Sequence, residues 1–372
     1  MGEELQRSSR DPEGLRQRLE AWLATRLPAG AGPAIGPLAG TAANGMSSET
    51  LLFDAEWTHH GARRSERLVA RVAPDPHDVP VFPRYDLDRQ YEAMRLVDRL
   101  TTVPVPAVWW SEPDPAPLGM PFFVMGQVDG RVPSDVPPYN FGDSWLSDAS
   151  AADRRCLQDA TVGVLAELHA VDRPTERFAF LALDAAGDTP LRRRVAHTRD
   201  WYAFAVGELG RPSPLIERGF AWLEDHWPAH EGPAVLSWGD ARIGNVIYDG
   251  FVPAAVLDWE MAALAPQEID VTWLIYGHRL FEDIAGSMGL PGMPGFLRSD
   301  DVASAYEALT GYTPRDLAFY GTYAALQFAI VFLRTGRRQA HFGEREMPPD
   351  VDDLILNREP LERMLADIYD WT

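Results

Sequence analysis

Apolar positions change their period several times along the first third of the chain. Over residues 12–27, Leu15, Leu19, Trp22, Leu23 and Leu27 recur at helical spacing behind Asp11, which predicts an amphipathic helix capped by that aspartate. A stretch rich in Gly, Pro and Ala follows over 28–45. Short apolar runs at 50–55 and 67–73 predict two strands, with a polar loop carrying His59 and His60 between them. Helical spacing returns over 86–100, with Leu87, Tyr91, Met94, Val97 and Leu100 on the inward face. Residues 103–110, interrupted by Pro104 and Pro106, read as extended. PFFVMGQV at 121–128 reads as a strand, and Asp129-Gly130 turns the chain out of it.

Beyond a proline-rich loop at 132–140 the texture changes. Residues 151–170, 191–209 and 213–227 carry Leu, Trp and Phe at helical spacing. Short strands are expected at 234–237, 246–248 and 254–257, and further helices at 269–280, 301–309, 315–334 and 350–369. No internal repeat is visible. A small β-rich part followed by a larger helical part is an α+β arrangement of two lobes, with the boundary near residues 126–131. The expected division is an N-terminal helix at 1–30, a first lobe at 31–128 and a second at 129–372.

Composition narrows the function classes. The 372 residues carry a formal charge of −21, so a nucleic-acid phosphate backbone would be repelled over most of the surface, and no nucleic-acid partner is expected. No run reaches the ~18 uncharged apolar residues of a membrane span; the nearest, 320–333, contains Gln327 and ends at Arg334, which predicts a buried helix. The N-terminus lacks a signal-like apolar core, so a cytoplasmic protein is the expectation. Cys156 is the sole cysteine, which excludes an intrachain disulfide. All 34 basic residues are arginine; without lysine there is neither Schiff-base chemistry nor a Walker A loop.

The segment that carries chemistry is VLSWGDARIGNVIYDGFVPAAVLDWE, residues 235–260. It reads as strand, polar loop, strand, turn, strand and acidic end. Asp240 and Asn245 share one loop five positions apart, and Asp258 stands where the third strand stops. Asp and Asn also suit turns. Phosphoryl transfer, however, needs such a set: a carboxylate to orient a hydroxyl and take its proton, and hard oxygens to hold Mg²⁺ against phosphates.

The Asp-x4-Asn spacing with a later Asp resembles the kinase catalytic loop and its metal-binding aspartate. The surrounding words, Trp238-Gly239-Asp240 and Asp258-Trp259-Glu260, are similar to those of the aminoglycoside phosphotransferase family. PVPAVWW, LGMPFFVMGQVDGR and LAELHAVD extend the resemblance over most of the chain, from about Leu38 onward. Within that family it stands close to the phosphotransferase domains fused to acyl-CoA dehydrogenases. The resemblance implies a protein-kinase-like two-lobe fold, with nucleotide bound by the first lobe. It implies ATP as phosphoryl donor, with GTP as an alternative, Mg²⁺, and a small-molecule hydroxyl as acceptor. Asp240 would be the base, and Asn245 and Asp258 the metal ligands. Ser47 and Ser48, in a loop with Gly40 and Gly45, would approach the phosphates. Met125 and Gln127 would belong to the hinge beside the adenine.

Three positions depart from the family pattern. The histidine before Gly-Asp is Trp238, whose indole fills the volume but only donates. The phosphate-binding lysine of the strand aligns with Arg71 in RLVARVAP, which is cationic but larger and planar. The helix partner expected as glutamate is Gln90, with Glu92 as the other candidate. Asp270 matches a family aspartate for which an N-cap or loop-anchoring role is expected. These departures leave room for a nucleotide-binding module without catalysis, and the basic run at 334–345 for an anionic, hydroxyacyl-type acceptor.

Overall fold

The computed structural model describes residues 11–40 and 48–371. In its first part, helix α1 (Pro12–Arg26) precedes strands β1 (Ala34–Ile35), β2 (Ala39–Gly40), β3 (Glu49–His59) and β4 (Ala62–Val72). Helix α2 (Leu87–Leu100) and strands β5 (Val108–Glu112) and β6 (Phe122–Gly126) complete it. The sheet is antiparallel in the order β1-β3-β4-β6-β5, with β2 beside β3.

Side-chain alternation divides this sheet between two cores. On β4, Leu68, Ala70 and Val72 join Phe122 and Val124 of β6 in a cluster closed by Leu15, Leu19, Trp22 and Leu23 of α1. Val69, Ala73, Phe123 and Met125 face the other way, into the core shared with α2 and the helical part. Arg71, two residues from both Val69 and Ala73, therefore projects toward the helical part. The polar segment with His59 and His60 is not the expected loop. β3 and β4 pair out to His59↔Ala62, and His60, at φ 50°, makes the reversal with Gly61. Arg63 and Arg64 reach Glu56 and Glu66, and Arg64 covers Trp57, so charged pairs solvate a projecting hairpin that lacks an apolar outer face.

The second part contains α3 (Ala151–His169), α4 (Pro174–Arg177), α5 (Pro190–Leu209) and α6 (Pro214–Asp225). Strands β7 (Ala234–Ser237), β8 (Val246–Asp249), β9 (Val252–Val256) and β10 (Ala263–Pro266) follow. The chain ends in α7 (Glu268–Ser287), α8 (Ser299–Thr310), α9 (Leu317–His341) and α10 (Arg358–Leu365). β8 pairs with β9, and β7 pairs with β10, a strand absent from the expected pattern. The two ribbons grip residues 238–245 and 257–262 from both ends.

α9 is the one helix among the described residues long and apolar enough to cross a membrane. It is mostly buried against α5, α6 and α7, as an interior helix. The expected helix at 350–369 is instead a 3₁₀ turn at Val351–Leu354 followed by α10. Asn357 causes the break: fully buried, it donates to Tyr276 Oη and the Ala325 carbonyl, both at 2.9 Å. Pro360 then falls in the first turn of α10, where its missing N–H costs nothing. The basic run at 334–345 divides: Arg334 is fully buried and donates to the Pro80 carbonyl and Glu208, and Arg338 is buried, whereas Arg337 and Arg345 are half-buried and His341 is exposed.

Candidate active site

Between β7 and β8 the chain leaves the ribbon through Gly239, at φ 88°. A Cβ there would stand 2.1 Å from the Met261 carbonyl oxygen, so only glycine allows this approach. The loop is anchored by Asp270, in the first turn of α7 and fully buried. Its carboxylate accepts from Ser237 Oγ (2.9 Å), Trp238 N (2.7 Å) and Gly239 N (2.8 Å), and pairs with His169 Nε2 (3.0 Å). His169 is in turn tied to Tyr306 Oη at 2.7 Å. The expected anchoring role of Asp270 thus has a concrete form. Trp238, also fully buried, donates from Nε1 to the Leu257 carbonyl at 2.9 Å. The indole's donor joins the loop of Asp240 to the strand end that carries Asp258.

The Asp240 carboxylate is held from two directions. Asn245 Nδ2 donates to Oδ2 at 2.7 Å, and Trp273 Nε1, from α7, donates to Oδ1 at 2.6 Å. Arg242 Nε lies 3.3 Å from Oδ1, while its Nη1 bonds Asp135 at 2.6 Å. Asn245 is buried and its amide group also reaches the Asp240 carbonyl at 3.1 Å, which turns its oxygen away from Asp240. Trp273 and Arg242 escaped the sequence reading. Trp273 sits in the apolar run of α7, where helical spacing from Asp270 is the only signal.

Asp258 has φ 60°, a left-handed conformation that orients its side chain away from the strand. Its Oδ1 accepts from Arg71 Nη2 at 2.9 Å, while Arg71 Nη1 donates to Thr50 Oγ1 at 3.2 Å. Glu260 stands 4.0 Å from the same guanidinium. Burial pushes the Asp258 carboxyl upward, against the opposing pull of Arg71, and the nearby Asp240 charge adds to the rise. A strand cation and two strand-end acids therefore meet across the two parts of the molecule.

The other expected residues are distributed around this centre. Gln90 is buried on α2 and lines the cleft beside Glu260, but the guanidinium of Arg71 bonds Thr50 and Asp258 instead of a residue of α2. Glu92 pairs with Arg95 one turn on, away from Arg71. Met125 is buried in the core between the two parts. Gly126 N and Gln127 N donate to the carbonyls of Ala107 (2.8 Å) and Arg67 (2.9 Å), so these two donors are taken by the sheet. Ser48 is buried, and its Oγ has no hydrogen-bond partner among the described residues. Ser47 and Gly45 lie outside the described residues.

No group of three or more His, Cys, Asp or Glu side chains among the described residues could hold a metal alone. Asp258 and the Asn245 oxygen are nonetheless hard donors of the kind Mg²⁺ takes when nucleotide phosphates and water supply the rest. The donor set fits such an ion.

The fold has many solved counterparts. A protein assigned as an aminoglycoside phosphotransferase, from Ralstonia eutropha, aligns with 95% of this chain and 97% of its own, at a TM-score of 0.64 and 21% identity. The GDP and kanamycin complex of APH(2")-IIIa aligns with 94% of this chain and 98% of its own, at a TM-score of 0.57 and 16% identity. The macrolide 2'-phosphotransferase MphH of Brachybacterium faecium aligns over 91% of this chain and 97% of its own, at 0.51 and 21%. In sequence, the chain is 28% identical over 244 residues to a probable acyl-CoA dehydrogenase, IBR3, of Arabidopsis thaliana, covering 62% of this chain and 27% of that one. Acyl-CoA dehydrogenase family member 11 of Gallus gallus is 29% identical over 204 residues, covering 53% and 24%. The chain thus spans about a quarter of the length of these curated relatives. The model of the phosphotransferase enzyme family matches residues 51–293, which include Arg71, Asp240, Asn245 and Asp258. The chain belongs to the phosphotransferase enzyme family and has its α+β, kinase-like fold.

Proposed function

We propose that the protein transfers the terminal phosphoryl group of ATP, or of GTP, to a hydroxyl of a small molecule. The observation that carries this reading is the double support of the Asp240 carboxylate by Asn245 and Trp273, opposite an Asp258 that meets the strand cation Arg71. Asp240 orients the acceptor hydroxyl and accepts its proton as the oxygen attacks. Oδ2 has one close protein donor, Asn245, which leaves it a lone pair for that proton. Asn245 and Asp258 are the residues that would hold Mg²⁺. The bound ion supplies charge neutralisation across the phosphates during transfer. Arg71 offers a planar cation to a phosphate in place of a lysine. Ser47 and Ser48 would be the residues that approach the phosphates, Gln90 would line the cleft beside Glu260, and Met125 and Gln127 would flank the adenine. Complexes of related structures with GDP, and of another with AMP-PNP and hygromycin B, support a nucleotide donor and a small-molecule acceptor.

Transfer of label from ATP to a panel of alcohols, with and without Mg²⁺, tests the reading. Chelation should abolish transfer, and Asp258→Asn should raise the Mg²⁺ concentration needed for half-maximal rate by about tenfold or more. Undiminished transfer in chelator would contradict it. AMP-PNP binding without any transfer would favour the inert nucleotide-binding module.

A further inference from the structure

A cleft of about 490 Å³ opens between α5 and the segment that leads into α2, on the far side of Glu260 from Arg71. Its size is that of a small-molecule site. Three of its lining side chains, Arg194, Arg89 and Gln327, carry buried donor atoms. Arg194 is 3% exposed, and only its Nη1 is used, donating to the Met261 carbonyl at 2.8 Å. Arg194 Nε and Nη2 are buried without a hydrogen-bond partner among the described residues. Gln327 Nε2 and Arg89 Nη2, on the same lining, are in the same condition.

Buried polar groups of this kind are expensive to leave unmade, and a guanidinium more so than an amide. Three side chains from α2, α5 and α9 share the condition and line one cavity. His197, on the same lining, is held below its ordinary pKa first by burial and then by the charge of Arg194, against Asp200, with Arg89 adding to the fall. The lining acids do not answer these donors. Asp86, Asp184 and Asp200 are solvent-exposed, and Asp86 caps α2 by accepting from Arg89 N. Glu260 faces Arg71.

We propose that this cleft binds a small molecule through a carboxylate or phosphate group, received by Arg194 with Arg89 and Gln327. An oxyanion accepts from a planar guanidinium through two parallel bonds, which is the valence Arg194 leaves open. Where Arg194 and Arg89 stand, a polycation would meet two guanidinium groups of its own sign, and the carboxylates of Asp86, Asp184 and Asp200 lie out at the exposed rim. Met261, held by Arg194, is the residue whose carbonyl packs on Gly239, so the ligand lies one contact from the loop of Asp240. The inference rests on the phosphotransferase reading only for what the ligand does next, and binding can be read without turnover.

The test is calorimetric titration of the whole chain, in the presence of AMP-PNP, with inorganic phosphate and with hydroxycarboxylates of three to ten carbons, each paired with its neutral amide. An acid should bind about tenfold or more tightly than its amide, as expected for charge-assisted bonds. Arg89→Gln and Gln327→Leu should each reduce that ratio while AMP-PNP affinity stays within about twofold; Arg194→Gln, which can still donate to Met261, should abolish it. Binding of phosphate alone would assign the site to a free anion, and binding of a hydroxycarboxylate that is then phosphorylated would assign it to the acceptor. Equal affinity for acid and amide, an acid preference unchanged in Arg194→Gln, or no binding by any probe would overturn the proposal. Failure of transfer with binding intact would count against the phosphotransferase reading instead.

Discussion

At the scale of single residues, Asp240 is set by neighbours that come from different places in the chain. Asn245 reaches it from the same loop, whereas Trp273 reaches it from a helix 33 residues on. Trp273→Phe would keep the stacking on Phe328, now at 4.8 Å between ring centroids, but remove the donor to Oδ1. The expected result is a fall in kcat of about tenfold, the worth of one bond to a charged group, with little change in the KM for ATP. Steady-state kinetics at saturating nucleotide would check this. Asp240, Asn245 and Asp258 were legible because their spacing is short and lies between recognisable strands. Trp273 and the open valences of Arg194 were not, because an aromatic or arginine at helical spacing reads as packing until its neighbours are known.

At the scale of elements, the loop that carries Asp240 depends on the first turn of α7. Asp270 receives three donors from the loop and pairs with a buried histidine, so Asp270→Asn places an amide donor among groups that already donate. Destabilisation by about 3–5 kcal/mol is expected, with transfer activity lost in the fraction that still folds. Thermal denaturation of the variant beside Ser237→Ala, which removes one neutral partner and should cost about 1 kcal/mol, separates the anchor from a generic buried polar loss.

His278, also on α7, gives this region a pH dependence. Burial lowers its pKa to about 4, against Glu282 and the Met293 carbonyl, which act in the opposite direction. The unfolded chain takes up the proton near pH 6.5, before the folded protein does. Stability contributed by neutral His278 is therefore full above about pH 6.5 and is lost as pH falls toward about 4. Denaturant titrations at pH 7 and pH 5 should show a smaller drop for His278→Gln than for the unchanged protein; an equal drop would contradict the assignment. Element positions followed hydrophobic period where apolar residues were dense, although α7 and α9 run on to Ser287 and His341, past the expected ends at 280 and 334. They failed at the β3–β4 tip and after residue 350, where ion pairs in one case and a buried Asn357 in the other decide the backbone.

At the scale of the whole molecule, the sheet and the helical part share one apolar core and are joined besides by specific polar contacts. Arg71 reaches Asp258, Val256 N donates to the Pro104 carbonyl at 2.8 Å, and Arg131 and Tyr248 exchange backbone bonds at 2.9 Å. The segment after β4 is fastened to the helices, with Trp201 Nε1 and Arg334 donating to the carbonyls of Val81 and Pro80. The absence of lysine is visible here: the two cationic side chains among these contacts, Arg71 and Arg334, are arginines, whose forked donors suit a carboxylate in one case and a backbone carbonyl in the other. The α+β, two-lobed class was legible from the order of strand-rich and helix-rich segments. The packing that brings Arg71 onto Asp258 was not, since the two lie 187 residues apart.

Asp240 is proposed as the group that accepts the hydroxyl proton. The most direct measurement is the single-turnover rate of phosphoryl transfer from ATP to an accepted alcohol, for the unchanged protein and for Asp240→Asn. The expected rate for Asp240→Asn is lower by about 10²–10⁴-fold, the contribution of general-base catalysis, with AMP-PNP affinity within about twofold. An Asp240→Asn protein that transfers phosphate at the unchanged rate would contradict that role.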